Sequence, residues 1–147
     1  MNEIIKIIVS AGIMSFVSFI SFLLSKLYYK PIEKYKELKF LTSYTLTLYA
    51  NIYNNPIDIA RTNNKMPEGY EIASNDLRKL AAEWGAFIYL KSFPGFFVPR
   101  NKNIECISKN LIGLSNSLTL PYNTDCKESN CAINLANEIK EILNLKS

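Results

Sequence analysis

The feature that most restricts the fold of this chain is a run of nineteen residues without a charged side chain, Ile7–Ser25. As an α-helix the run would be about 28 Å long, which matches the hydrocarbon thickness of a lipid bilayer. A core helix of a soluble domain would show a polar face, whereas the polar side chains of this run are all serines. The run therefore predicts a helix that crosses a membrane once.

A cleaved signal peptide is the alternative interpretation of this run. The apolar region of a signal peptide is about 7–15 residues long and precedes an A-x-A-like cleavage site. Here the run is longer, and its exit LLSKLYYKP has bulky residues and no such site. We therefore expect residues 1–29 to be an uncleaved transmembrane anchor for a soluble helical domain formed by residues 30–147.

Lysines are concentrated on the C-terminal side of the run, where five follow it and only Lys6 precedes it. Because cytoplasmic flanks of membrane spans are enriched in Lys and Arg, we expect the N-terminus outside and the C-terminal domain in the cytoplasm. Tyrosine rings favour the headgroup level, and lysines attract anionic lipid by about 1 kcal/mol each. The expected lipid headgroup contacts are Lys26, Tyr28, Tyr29, Lys30, Lys34, Lys36 and Lys39.

Small and hydroxylated side chains share one face of the run, within about 80° on a helical wheel. These residues are Ala11, Ser15, Ser18 and Ser25. Such a face allows close approach and weak hydrogen bonds between spans, which predicts self-association into a homo-oligomer. The alternative is that serine is merely tolerated in a span, where it bonds its own i−4 carbonyl. A conducting pore is not expected, because no ionisable side chain lies in the run.

The rest of the chain has the apolar spacing of helices. Pro31 disfavours helical backbone at Lys30, so a break or kink is expected at Lys30–Pro31, followed by a helix to about Tyr53. A strand within residues 40–50 is the alternative, since threonines are frequent there. Further helices are expected from Glu68 or Tyr70 to Lys91, over about 103–118 and over about 125–145. The fold class is therefore all-α, an N-terminal transmembrane helix followed by a cytoplasmic four-helix-bundle-like domain in which Trp84 anchors the core.

An unusually apolar connection, SFPGFFVPRNKN, follows the second of these soluble helices. Loops generally lie on the surface, so the phenylalanine side chains of this loop would be exposed to water unless another surface covers them. They either fold back to close the end of the bundle, or they contact the membrane or a partner. The candidate apolar contact residues are Phe93, Phe96 and Phe97.

The chemistry of the chain gives no catalytic or cofactor signature. Histidine is absent, and the three cysteines form no CxxC pair, so we expect no zinc site and reduced thiols. The glycines are scattered singly, which excludes a phosphate-binding loop, and solvated charge explains the carboxylates Glu71, Asp76 and Glu83. Residues 40–147 carry eleven basic and ten acidic residues, so nucleic-acid binding is not expected. We expect no enzyme activity, no cofactor and no metal.

Three stretches carry a family resemblance across about residues 40–120: the helix SNDLRKLAAEW, the proline-bearing loop ending in PR, and LIGLSNSL. Together with the N-terminal span, they resemble small uncharacterised bacterial single-span membrane proteins. The resemblance implies a bacterial inner-membrane setting and no particular activity.

The sequence thus predicts a membrane-anchored helical protein that recruits or scaffolds a protein partner at the cytoplasmic membrane face, in contact with membrane lipids. The alternative is an oligomerising, membrane-perturbing effector of a stress or phage-defence system. A membrane-tethered enzyme or ligand sensor that uses a pocket in the bundle is the third interpretation.

Overall fold

The computed structural model describes residues 2–58, 65–90, 98–120 and 129–145. Within these residues the chain is mostly helical, with one long apolar helix on the N-terminal side. In chain order the elements are α1 (Asn2–Leu24), a π-helical turn (Ser25–Tyr29), α2 (Lys30–Leu48), α3 (Ala50–Asn54), β1 (Ile57–Asp58), α4 (Glu68–Leu90), α5 (Asn101–Ser117), β2 (Thr119–Leu120) and α6 (Ser129–Ile142).

The predicted break at Lys30–Pro31 is wrong, because helix continues without interruption from Glu3 to Leu48. The irregularity is the π-helical turn just before Pro31, where the Lys30 N–H donates to the Ser25 carbonyl. A proline ring crowds the carbonyl four residues earlier and has no N–H to offer it. A turn with wider i→i−5 bonding relieves that crowding, and Pro31 then occupies the first turn of α2, where it is tolerated.

The threonine-rich segment after Pro31 is helical, so the alternative of a strand within residues 40–50 is wrong. The hydroxyls of Thr42 and Thr47 donate to the carbonyls four residues earlier, Leu38 and Ser43, at 2.7 and 2.9 Å. Bonding of this kind accommodates threonine inside a helix. The helix expected to reach Tyr53 is divided at Tyr49, which lies between α2 and α3 with φ −98° and ψ 15°.

A short parallel pair, β1 with β2, was not expected from the sequence. Ile57 is opposite Thr119 and Asp58 is opposite Leu120, and the Ile57 N–H donates to the Leu118 carbonyl at 3.1 Å. Two residues on each side are too few for an alternating pattern to mark them. The pair joins the segment after α3 to the end of α5.

The helices of the domain alternate in direction around one core. Ser74 contacts Ser115 and Ser108 contacts the Ala81 carbonyl, so α4 and α5 are antiparallel. Cys106 contacts Glu138 and Gly113 lies next to Leu135, so α5 and α6 are antiparallel as well. The largest fully buried side chains are Leu38, Leu46, Leu77, Trp84, Phe87, Ile104, Ile107, Leu111, Leu114, Leu118, Ile139 and Leu143.

Candidate functional site

Helix α1 stands apart from the rest of the described chain. All of its described side chains are exposed except Leu23, which is half-buried. Ile7, for example, is 65% exposed and Phe22 is 61% exposed. Among the described residues this is the one helix that has the length and the apolar composition needed to cross a membrane. The core of the domain is therefore complete without α1.

The small-residue face predicted for the span lies on this exposed helix. Ala11, Ser15, Ser18 and Ser25 are all exposed, and Ser25 is the first residue of the π-helical turn. Their spacing of four, three and seven residues keeps them on one side of α1, as in the seam of two packed helices. Nothing in the described protomer covers this side.

The basic residues at the junction of α1 and α2 differ in how exposed they are to solvent. Lys26, Lys30 and Lys36 are exposed and Lys39 is half-buried. Tyr29 is 65% exposed, and the side chain of Tyr28 is outside the described part of the chain. These exposed groups are free to meet headgroups at the end of α1, and their lipid contacts stay a prediction.

Lys34 differs from its neighbours because it joins two helices. Its Nζ lies 3.0 Å from Glu37 Oε1 and 3.5 Å from Glu83 Oε2. The hydrogen bond with Glu37, followed by the negative charges of Glu37 and Glu83, raises the pKa of Lys34 above its ordinary value. A lipid phosphate would have to compete with both carboxylates for this ammonium group.

Trp84 is the core anchor that the sequence predicted. Its ring is fully buried, with Tyr35 and Phe87 packed edge-on at centroid distances of 6.1 Å each. Its indole N–H donates to Thr42 Oγ1 at 2.9 Å. This bond connects α4 to α2 and leaves no indole donor for a ligand.

Two of the helix-α4 carboxylates interpreted as solvated charge contact α2: Glu83 pairs with Lys34, and Asp76 meets Tyr49. The Tyr49 hydroxyl donates to Asp76 Oδ2 at 2.5 Å, at the end of α2. Burial, and then the hydrogen bond to Asp76, raises the pKa of Tyr49 to about 12. Asp76 thus holds α4 against the end of α2, while Glu71 is exposed.

A polar seam between α4 and α5 was not found from the sequence. Ser74 and Ser115, both buried, are hydrogen-bonded at 2.8 Å, and Arg78 Nε donates to Ser115 Oγ at 3.0 Å. Arg78 also donates to Asn116 Oδ1 at 3.0 Å, and Asn116 is exposed. The small residues of LIGLSNSL were the signal that these helices approach closely, but they did not reveal the arginine.

Two open grooves are lined entirely by described residues. One, of about 440 Å³, is between α2 and α4 and is lined by Lys34, Glu37, Leu41, Glu83, Ala86, Phe87 and Leu90. The other, of about 430 Å³, is between α4 and α5 and is lined by Arg78, Ala81, Ala82, Gly85, Ser108, Ile112 and Asn116. In the first groove Lys34 already pairs with Glu37 and Glu83, and Arg78 in the second is held by Ser115 and Asn116.

An apolar stripe on the outer side of α2 is also exposed. Phe40, Tyr44 and Leu48 are 69%, 56% and 54% exposed and follow one another at intervals of four residues. Residues at this spacing lie on one face of a helix. A contiguous exposed apolar patch of this kind usually marks a contact with another molecule.

The two cysteines in the described part of the chain have no metal-binding neighbours. Cys106 and Cys131 are free, and Cys106 donates to Glu138 Oε1 at 3.3 Å. In the described ranges no group of three His, Cys, Asp or Glu side chains could hold a metal ion. Cys126 and the predicted contact residues Phe93, Phe96 and Phe97 lie outside the described residues.

Comparison of the chain with family models, with curated proteins and with solved structures finds no match. The resemblance to bacterial single-span membrane proteins therefore stays a prediction. The function proposed below rests on the residues and geometry of this chain.

Proposed function

We propose that this chain is a non-enzymatic, single-span protein of a bacterial inner membrane. Helix α1 crosses the bilayer with its N-terminus outside, and residues 30–147 form a four-helix-bundle-like domain in the cytoplasm. The domain recruits or scaffolds a protein partner at the membrane face, and copies of the chain self-associate through the span. The observation that carries the proposal is the exposure of α1 along its whole length.

The apolar surface of α1 is too large to be left in water. Thirteen large apolar side chains between Ile4 and Leu24 are exposed. At about 1.5–3 kcal/mol for each full burial, and with these groups partly exposed, hydration would cost on the order of 10–20 kcal/mol. That is comparable to the whole stability of a typical domain, about 5–15 kcal/mol. A core helix would be buried by its own domain, so a bilayer is the environment that fits α1.

The lysines support the orientation. Lys26 and Lys30 are exposed just after the end of α1 and are available to the anionic lipids of a cytoplasmic leaflet, and exposed Lys36 follows farther along α2. Reporter fusions to Ser147 test this directly. A reporter that is active only in the cytoplasm should give the signal, and a reporter that is active only after export should be silent. Signal from the exported reporter alone would refute the orientation.

Two exposed surfaces support contact with other proteins. A second span can pack on the face of α1 that is formed by Ala11, Ser15, Ser18 and Ser25, because small side chains let helix backbones approach each other closely. The Phe40, Tyr44 and Leu48 stripe lies on the domain, beyond the expected membrane boundary. Self-association through the span predicts that Ser15→Leu with Ser18→Leu weakens cross-linking between copies in membranes. Ser10→Leu with Ser21→Leu is the matched control, because these serines lie off the small-residue face.

The membrane-perturbing effector is the second candidate, and the same exposed small-residue face of α1 favours it. The two functions differ in what they require of the span. A scaffold keeps its activity when α1 is replaced by an unrelated apolar helix, whereas an effector loses its activity when Ser15 and Ser18 become leucine. Collapse of the membrane potential after induction would contradict the scaffold.

A further inference from the structure

The helix directions place one end of the domain next to the exit of α1. Because Thr42 bonds Trp84 and Tyr49 bonds Asp76, α4 runs antiparallel to α2 and returns toward the π-helical turn. Helix α5 starts beside the end of α4, since Ser108 contacts the Ala81 carbonyl in an antiparallel pair. We call this end, with Leu90 and Arg100, the base of the domain.

The height of the base above a bilayer follows from helix geometry. From Trp84 to Leu90 is six residues, or about 9 Å, which brings Leu90 level with Lys36 on α2. Lys36 is eleven residues beyond Ser25, or about 16 Å along the helix. A headgroup layer is about 5–8 Å thick on each side of the hydrocarbon core. The base therefore stands about 10 Å above the headgroups, which is close to one Debye length at 0.1 M salt.

The chemistry of the base fits an anionic surface. Arg100 and Lys102 are exposed at the start of α5, and no ion pair joins either of them to another described residue. Tyr89 is 91% exposed at the end of α4, and amphipathic rings of this kind favour the membrane interface. Glu37 on α2 is the exposed carboxylate nearest to this level and is ion-paired with Lys34 at 3.0 Å, and Glu105 is exposed three residues after Lys102 on α5.

We propose that the base of the domain is a second lipid-binding surface, in which Arg100, Lys102 and Tyr89 rest on anionic headgroups. The inference depends on the proposed function, because α1 must cross the bilayer to bring the base to this height. Spans tilt by about 20° on average, and leaning toward α5 lowers Arg100 and Lys102 toward the headgroup layer, where their long side chains can reach it. The attraction of Arg100 and Lys102 to the headgroups thereby sets the direction in which the span tilts, and the domain takes one orientation on the membrane.

The test places a fluorophore at the base and at the far end of the same helix. In the full chain with its three cysteines replaced by serine, Tyr89→Cys and, separately, Ile72→Cys are labelled. Ile72 is 48% exposed, and the two positions are seventeen residues apart, or about 25 Å along α4. Each protein is inserted into nanodiscs of phosphatidylcholine, with or without phosphatidylglycerol, that carry a quenching spin label on lipid headgroups.

We expect quenching at position 89 to exceed that at position 72, and to rise about twofold or more with phosphatidylglycerol because the attraction is electrostatic and short-ranged. Arg100→Gln with Lys102→Gln, or high salt, should remove the increase. Lys79→Gln with Lys109→Gln, which removes two exposed charges away from the base, should keep it. Equal quenching at both positions, or equal quenching in both lipids, would overturn the proposal.

A carbonate wash of native membranes separates this inference from the function on which it rests. Protein that resists extraction but shows no extra quenching at position 89 refutes the lipid-binding base and leaves the anchored scaffold standing. Protein that is extracted refutes the membrane span itself.

Discussion

The hydrogen bond between Trp84 and Thr42 makes a prediction whose size follows from the structure. Both side chains are fully buried, and the Thr42 hydroxyl donates to the Leu38 carbonyl while it accepts from the indole N–H. Thr42→Val keeps the volume of the side chain but leaves the indole N–H without an acceptor. A buried donor without a partner costs about 1–3 kcal/mol. The free energy of unfolding should fall by that amount.

Thr47→Val is the matched control on the same helix. Its hydroxyl also donates to a carbonyl four residues earlier, but Thr47 is exposed and contacts no tryptophan. Its replacement should change stability by about 0.5 kcal/mol or less. Urea unfolding of the full chain in detergent, followed by far-UV circular dichroism, measures both variants. With a slope of about 1–3 kcal/mol per molar urea, Thr42→Val should lower the midpoint by about 1 M.

A double-mutant cycle decides whether the indole is the cause. In a Trp84→Phe background there is no N–H to satisfy, so Thr42→Val should cost little more than the control. If Thr42→Val cost the same in both backgrounds, or no more than Thr47→Val, the assigned role of the bond would be refuted.

Three further predictions use other contacts of the domain. Gly85→Ala should stabilise the chain by up to about 1 kcal/mol through helix propensity, because the new Cβ would meet Ser108 Oγ at a comfortable 3.8 Å. Gly113→Ala should gain less, because its Cβ would meet Leu135 Cδ1 at 3.1 Å; thermal unfolding showing an equal gain would contradict this. Because the pKa of Tyr49 is raised to about 12 in the folded chain, its contribution to stability is present below pH 10 and is lost as pH rises through about 12. Urea midpoints between pH 9 and pH 12 should therefore fall less steeply in Tyr49→Phe, and identical slopes would refute the coupling. Burial, and then the hydrogen bond to Glu138, raises the pKa of Cys106 above its ordinary value, so Cys131 should be alkylated faster, as measured by peptide mass spectrometry. Glu138→Gln should accelerate the reaction of Cys106, and a slower reaction would contradict the assigned cause.

Several contacts that shape the candidate site were invisible in the sequence. In the sequence Lys34 cannot be distinguished from the other lysines predicted to contact lipid headgroups. Its side chain nevertheless pairs with Glu83, which is 49 residues away in the chain. Asp76 has the spacing of a solvated carboxylate, yet it meets Tyr49. A periodic pattern says which face of a helix is buried, but not which partner lies against that face.

The amino-acid sequence by itself determined the local features of this protein: the uncharged run within helix α1, the helical spacing around Trp84 and the lysines after Ser25. These local features depend on residues three or four positions apart, so the composition and the spacing of the apolar residues are sufficient to specify them. Only the tertiary structure decided that β1 and β2 meet and that α4 returns toward α1. Those outcomes depend on contacts between residues 27 to 62 positions apart, such as Tyr49 with Asp76 and Ile57 with Thr119. Such contacts form only where the whole core packs, and they bring Arg100 and Lys102 to the same end of the domain as the span.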